Sequence, residues 1–311
     1  MTGASEIIHH YDAARAKRGL LSHGLAMFRY PWRAWESRGL VWNFFVRELL
    51  GRFRGSLGGI FWVLVQPIFQ FAVFFFVFGI LFGPRVGSGG ADPFFAVYLF
   101  AGIVLFNSLQ EGSSRALTSI VMSGNLVRKV VFPCELLPLT PIFVSSVVYM
   151  MASVVLLLVG SIAGVVSIGW EILAWPVLVV LLTVFSLGLG LFLAAAQVFA
   201  RDVSHLWGVL SLAWFFMSPI FWSVQLIEDA ATKFGVEGAT QFLLLNPAFC
   251  LLMAQRQVFG IGSTLPAEDY ARWFPYSLGE NLLVCAGWAV VTFYVGFGFF
   301  MSRKHKFADL V

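Results

Sequence analysis

Residues 172–199 read ILAWPVLVVLLTVFSLGLGLFLAAAQVF and carry no charge. An α-helix rises 1.5 Å per residue, so about 20 apolar residues cross a hydrocarbon core of roughly 30 Å. This stretch exceeds that length. Inside a bilayer, backbone N–H and C=O groups find no water, so such a run must satisfy them within itself as a helix. The segment decides the fold class: a membrane-spanning α-helical protein.

Working outward, five further segments meet the same criterion: residues 57–82, 94–116, 136–166 (broken near its start by Pro138 and Pro141), 206–226 and 282–301. With 172–199 as the fourth, the sequence predicts an all-α integral membrane protein with six transmembrane helices per protomer. Composition agrees. The chain is 59% hydrophobic and 12% charged, with 34 Phe and 11 Trp. A soluble domain carries about 25% charged residues, enough to cover itself with a polar surface, and this chain does not. Its mean hydropathy is +0.85. A net charge of +4, scattered along the chain, gives no electrostatic footprint for nucleic acid. Cys134, Cys250 and Cys285 lie far apart without metal-ligand or CxxC spacing and read as structural. Residues 1–30 contain charges and no long apolar run, so no cleavable signal peptide is expected there.

Orientation follows from Lys and Arg, which favour the cytoplasmic side. With the N-terminus inside, the cytoplasmic segments hold Arg15, Lys17, Arg18, Arg29, Arg33, Arg38, Arg47, Arg52, Arg54, Arg115, Arg128, Lys129, Arg201, Arg303, Lys304 and Lys306. The exterior holds Arg85, Lys233, Arg256 and Arg272, a split of 16 against 4. Both termini are then cytoplasmic. The division is a cytoplasmic N-terminal extension (1–32), an amphipathic interface helix (33–55), the six-span domain (56–302) and a cytoplasmic tail (303–311).

Residues 33–54 carry too many charges to span. Val41, Phe45, Leu49 and Phe53 share one helical face, Asn43, Arg47 and Arg54 fall on another, and Glu48 and Arg52 can pair at i, i+4. The pattern is that of a helix in the membrane plane, its Arg47, Arg52 and Arg54 heads reaching lipid phosphates. It reads either as an anchor or as a cytoplasmic gate. Between spans five and six, residues 227–281 include the apolar run 242–249, too short to cross. Short re-entrant helices are expected there.

In span five, Trp207, Ser211, Trp214, Ser218, Phe221 and Gln225 are spaced 4, 3, 4, 3, 4 and fall on one helical face. Span one offers Trp62, Gln66 and Gln70 at i, i+4, i+8. Aromatics stack on the C–H faces of sugar rings, and hydroxyls and amides bond their edges, so these residues suit a polymer conduit. Helix packing accounts for them equally. Asn107, Glu111 and Arg115 line span two, where Glu111 and Arg115 can pair with each other.

The run Arg52-Phe53-Arg54-Gly55-Ser56-Leu57-Gly58-Gly59-Ile60-Phe61-Trp62, with Gln66-Pro67 and Phe78-Gly79 after it, resembles the first-span signature of type-2 ABC transporter permeases. Leu126-Val127-Arg128-Lys129-Val130-Val131-Phe132-Pro133, then Leu136-Leu137-Pro138, resembles the cytoplasmic loop of the polysaccharide-export branch, which exports O-antigen, capsule and teichoic acid. Arg201-Asp202-Val203, Ser218-Pro219-Ile220 and Asn246-Pro247 fit the same branch, and the resemblance covers about residues 40–305. It implies a homodimer of permeases in the bacterial inner membrane and two copies of a separate nucleotide-binding ATPase. ATP and Mg would reside on that partner, and a lipid-linked polysaccharide would be driven outward. No GxxxxGK[ST] loop occurs in the chain, in keeping with a separate ATPase. The resemblance also implies that Asn125, Arg128, Lys129, Phe132 and Pro133 dock on the ATPase. Without it, Arg128 and Lys129 serve as topology signals.

Three other classes compete. A permease of the same type for a lipid or drug would lack the aromatic–polar stripe. A membrane glycosyl- or acyltransferase needs a reactive carboxylate or His, but the acidic pairs Glu228-Asp229 and Glu268-Asp269 have no nearby His. An ion-coupled transporter calls for symmetry between the two halves, which the sequence does not show.

Overall fold

The computed structural model describes residues 30–52, 58–81, 92–129, 133–235 and 238–311. Among these the chain is helical, with one isolated bridge between Val166 and Ile261. Two helices open it, α1 (Tyr30–Glu36) and α2 (Arg38–Gly51). Then come α3 (Trp62–Phe74), prolonged by a π-helical turn Phe75–Leu81, α4 (Pro93–Met122), the short α5 (Gly124–Lys129), α6 (Leu139–Ile162), α7 (Trp175–Phe199) and α8 (Val203–Met217). Two more, α9 (Gln225–Lys233) and α10 (Pro247–Val258), are followed by α11 (Ala267–Trp273), α12 (Leu278–Arg303) and the terminal turn α13 (Phe307–Leu310).

Among the described residues, four helices are long and apolar enough to cross a membrane: α4, α6 and α7 with their flanking turns, and α12. The apolar stretches Val65–Leu81 and Val203–Met217 are shorter. The long helices begin where local chemistry starts them. Pro93 opens α4 behind Asp92, whose carboxylate accepts the Phe94 N–H at 3.0 Å. Ser277 and Glu280 form a capping box on α12. Pro138 and Pro141 confine α6 to a start at Leu139, three residues past the expected edge at 136.

α4 lies at the centre. It packs on α6 and α7 along its length, carries α3 and α8 on its flanks, and meets α10 at one end. α7 and α12 form the closest pair, with Gly188 facing Gly296 so that a Cβ on Gly296 would fall on the Gly188 backbone. Small residues let helices approach this closely where lipid offers no hydrophobic drive. The core has two main parts. One surrounds Tyr98, Phe106, Phe249 and Phe259. The other joins Tyr30, Cys134, Leu136, Phe297, Phe300 and Phe307, with Tyr30 of α1 and Phe307 of α13 both packed on rings of α12.

Two expectations change. The helix expected over 206–226 stops at Met217. Pro219 has no N–H and pushes Ser218 out of the helical region, to φ −96° and ψ 144°. Ser218 remains the cap, but Phe221 and Gln225 no longer share the face of Trp207. Within 242–259, where short helices are expected, α10 forms and Ala248 through Val258 are all buried. That includes Arg256, counted above as an exterior charge.

Candidate functional site

Where α3 meets α4 and α6, close packing gives way to an open cleft of about 440 Å³. Trp62 and Gln66 enter it from α3, Asn107, Gln110 and Glu111 from α4, Tyr149 from α6 and Arg52 from the end of α2. The α4 residues recur at three- and four-residue spacing, so helical geometry alone gathers them into one polar stripe. Gln70, one turn beyond Gln66, accepts a hydrogen bond from the Asn107 amide at 2.8 Å and ties α3 to α4.

Charge is concentrated at one rim. The Arg52 side chain is 5% exposed and lies 2.7 Å from Glu111, with Ser145 Oγ at 3.4 Å. Burial lowers the Arg52 pKa below the ordinary arginine value, and Glu111 opposes the shift. Glu111 also receives Arg115 Nε at 3.1 Å, and Arg115 reaches Glu48 at 3.4 Å. The expected Glu48–Arg52 pair is therefore replaced. Each residue bonds across to α4 instead, and Arg52 faces the protein rather than lipid phosphate. A half-exposed pair such as Glu48–Arg115 contributes little by itself. The Arg52–Glu111 contact, in which the Arg52 side chain is buried and Glu111 is part-exposed, joins the end of α2 to α4. Arg47 is exposed and lies over the Phe44 ring at 4.6 Å. Arg54 falls outside the described residues. The outward side of α1 and α2 presents Trp32, Trp35 and Trp42 as well as arginines.

The stripe on α8 is engaged within the protomer. Trp207 Nε1 donates to Ser114 Oγ at 3.0 Å, and Gln110 donates to Ser211 Oγ at 3.0 Å. Trp214 Nε1 donates to Asn246 Oδ1 at 2.7 Å, and the Asn246 amide donates to Ser218 Oγ at 3.1 Å. Phe221 stacks on Phe78 at 4.3 Å, and Gln225 donates to Asp229. Of the nine conduit candidates, Trp62 and Gln66 line the cleft.

Beyond α4, the helix α5 exposes Asn125 and Arg128 and includes Lys129. Phe132 lies outside the described residues. Pro133 leads into a 3-10 turn, Cys134–Leu136. Within that turn Glu135 is buried, with Lys304 Nζ at 2.6 Å and Arg33 Nη1 at 3.5 Å. The Tyr30 hydroxyl donates to the Glu135 carbonyl at 3.1 Å, and burial together with Glu135 raises the Tyr30 pKa well above its ordinary value, keeping it a neutral donor. Sequence reading missed Glu135, Asn246 and Arg256. The signal for Glu135 was a lone carboxylate in the apolar run 132–138, where an unpaired charge is costly.

Comparison with known proteins gives a consistent picture. The family described as ABC-2 type transporter matches residues 39–235. The O-antigen export system permease protein RfbA of Myxococcus xanthus is 27% identical over 288 residues, which is 92% of this chain and the whole of that protein. Two proteins of the same name from Klebsiella pneumoniae are 20% and 19% identical over 268 residues, each alignment covering 85% of this chain and 92% of the relative. The matched region contains the α3–α4–α6 cleft, the α5 loop and the broken α8. This chain belongs to the ABC-2 type transporter family, as a membrane permease and not a catalytic subunit.

Proposed function

We propose that this permease is the membrane half of an ATP-driven exporter that moves a lipid-linked polysaccharide of O-antigen or capsule type out across the bacterial inner membrane. The observation that carries this reading is the near full-length likeness to permeases named for O-antigen export. Family membership implies an ATPase partner. Two permease copies and two ATPase copies would make the working unit.

Six spans per protomer follow if α3 with its π turn and α8 with the irregular segment after it also cross. Helix from Trp62 to Leu81 covers about 30 Å at 1.5 Å per residue. α8 covers less, and residues 218–224 would complete its crossing. Irregular backbone at membrane depth is tolerated where protein buries it. The distribution of Lys and Arg favours both termini in the cytoplasm. α10, buried against α4, α7 and α12, would be the re-entrant element entering from the exterior. The cleft would then open toward the cytoplasmic half of the membrane. Its Trp62 ring and Gln66, Asn107 and Gln110 amides offer a stacking surface and neutral hydrogen bonds. Weak, repeated binding of that kind suits a sliding sugar chain. The exposed Asn125 and Arg128, with Lys129, Phe132 and Pro133, would seat on the ATPase. Arg47 would lie at lipid headgroups.

Co-expression with an ATPase encoded beside it tests the assignment. The expected result is a stable complex that hydrolyses ATP and falls apart when Arg128→Glu and Lys129→Glu are combined, with loss of surface glycan on deletion of the permease. A chain that binds no ATPase overturns the reading.

A further inference from the structure

We infer that Glu135 is a positioning residue that makes the α5 loop, α1 and the end of α12 move as one body. The inference rests on the reading of α5 as the ATPase-facing element. Glu135 stands between that loop and α6, and its side chain is 2% exposed. One carboxylate oxygen takes Lys304 Nζ at 2.6 Å, and the other faces Arg33 Nη1 at 3.5 Å. Its backbone carbonyl takes the Tyr30 hydroxyl. Three elements distant in sequence thus converge on one residue. Cys134, Leu136 and Leu137 on either side share the apolar cluster of Tyr30, Phe297, Phe300 and Phe307.

The two ion pairs differ in weight. Arg33 is 45% exposed and screened by solvent, whereas Lys304 is 20% exposed and at charge-assisted bonding distance. Separating Lys304 from Glu135 would strand a buried carboxylate, which is strongly unfavourable. A displacement of the turn Cys134–Leu136 therefore carries the end of α12 and α1 with it, and α5 touches the same end of the protein where Gly124 meets Val311. The connection runs on to the cleft. α1 leads into α2, whose Glu48 and Arg52 pair with Arg115 and Glu111 at the rim. Motion of the loop reaches the cleft through Glu135 and α1–α2, a route separate from the covalent one into α6.

The full complex with its ATPase, in cells and purified, tests this with Glu135→Gln, which keeps size and removes charge. The expected result is normal assembly, ATP hydrolysis close to wild type, and glycan export reduced at least about fivefold, the lower end of typical coupling between sites. The exchange Glu135→Lys with Lys304→Glu is expected to recover part of that export, and the feature that separates coupling from a purely structural role is lost export at intact assembly and hydrolysis. If Glu135→Gln does not accumulate, the pair Glu135→Gln with Lys304→Met, which leaves neither charge buried alone, carries the same expectation. Wild-type export by the neutral variant overturns the inference, as does parallel loss of assembly, hydrolysis and export. The Arg128→Glu, Lys129→Glu pair separates the two claims. If it leaves assembly and export intact, the coupling role of α5 fails. If it uncouples while Glu135→Gln exports normally, only the present inference fails.

Discussion

Arg256 is fully buried, and its hydrogen bonds go to backbone carbonyls: Pro219 at 2.8 Å, Tyr98 at 3.1 Å and Ile220 at 3.3 Å. Its guanidinium also lies 3.3 Å from the Tyr98 ring centroid. Two of these carbonyls belong to the irregular chain after α8, so Arg256 supplies the donors that a continued helix would have supplied. The planar fork suits several acceptors at once, and a lysine ammonium on a flexible stem does not. Arg256→Ala takes the guanidinium away from all three carbonyls, leaves the Ile220 carbonyl without this donor at about 1–3 kcal/mol, and empties a fully buried volume besides. We expect it to destabilise the protein by at least about 3 kcal/mol, and Arg256→Lys to recover only part. Gly102→Ala should act in the same direction, because its Cβ would meet Arg256 Nη2 at 2.8 Å. The buried free thiols of Cys134, Cys250 and Cys285 provide the measurement, through a thiol-reactive dye that reports their exposure on heating. A melting curve for Arg256→Ala that matches wild type would remove this role. None of these contacts was legible from spacing. Arg256 counts as one exterior charge until Pro219 is seen to free the carbonyls it binds. Glu135 finds its partners 102 and 169 positions away. Arg52 has a tempting neighbour at i−4, but its own buried position turns it toward Glu111 on α4, 2.7 Å away.

Elements were more legible than their contacts. α4, α6, α7 and α12 lie where the long apolar runs place them, because a run of that length has no other solution in a bilayer. Their ends shift with caps and prolines. α8 ends early because one proline outweighs the apolar pattern beyond it. How α7 and α12 pair could not be read from hydropathy, since Leu is as apolar as lipid. The pairing rests on shape. A Cβ on Gly188 would strike the backbone at Thr292 and Phe293, and one on Gly296 would strike Gly188. Backbone cannot swing aside as a long side chain can. Gly296→Val is therefore expected to abolish accumulation of folded protein, and Gly188→Ala to lower thermal stability clearly. Gly287→Ala, on the same α12 but with open space around it, should be neutral or slightly stabilising, because Ala favours helix over Gly by about 1 kcal/mol. Size-exclusion profiles of detergent extracts would check this. Equal loss in all three variants would point to intolerance of any change in α12 or α7 rather than to close packing.

At the scale of the whole molecule, the protomer leaves two neighbouring helices largely uncovered. α3 with its π turn exposes Val65, Phe69 and Phe76, Phe61 just before it is exposed as well, and α8 exposes Leu206, Val209, Phe216 and Met217. The two adjoin, since Phe74 of α3 packs its ring against Phe215 of α8 at 5.4 Å. Trp62, exposed on α3, also lines the cleft, so the cleft opens beside this apolar face. A second copy seated there would cover the apolar surface and enclose the polar opening together, and nothing on the outward faces of α7 and α12 offers both. Such an interface is self-complementary, so a residue near its two-fold axis lies opposite its own copy. Single cysteines at Phe69 and Val209 are therefore expected to join two chains through a short bis-maleimide in native membranes. Cysteines at Val180 on α7 and Val291 on α12, equally apolar and exposed, are expected to leave the chain monomeric on a denaturing gel. The native thiols are buried and should stay silent in both sets. Cross-linking at Val180 or Val291, with none at Phe69 or Val209, would move the seam to the opposite side of the bundle. The cleft would then face lipid, and the conduit proposed above would run beside the protein surface rather than between two copies.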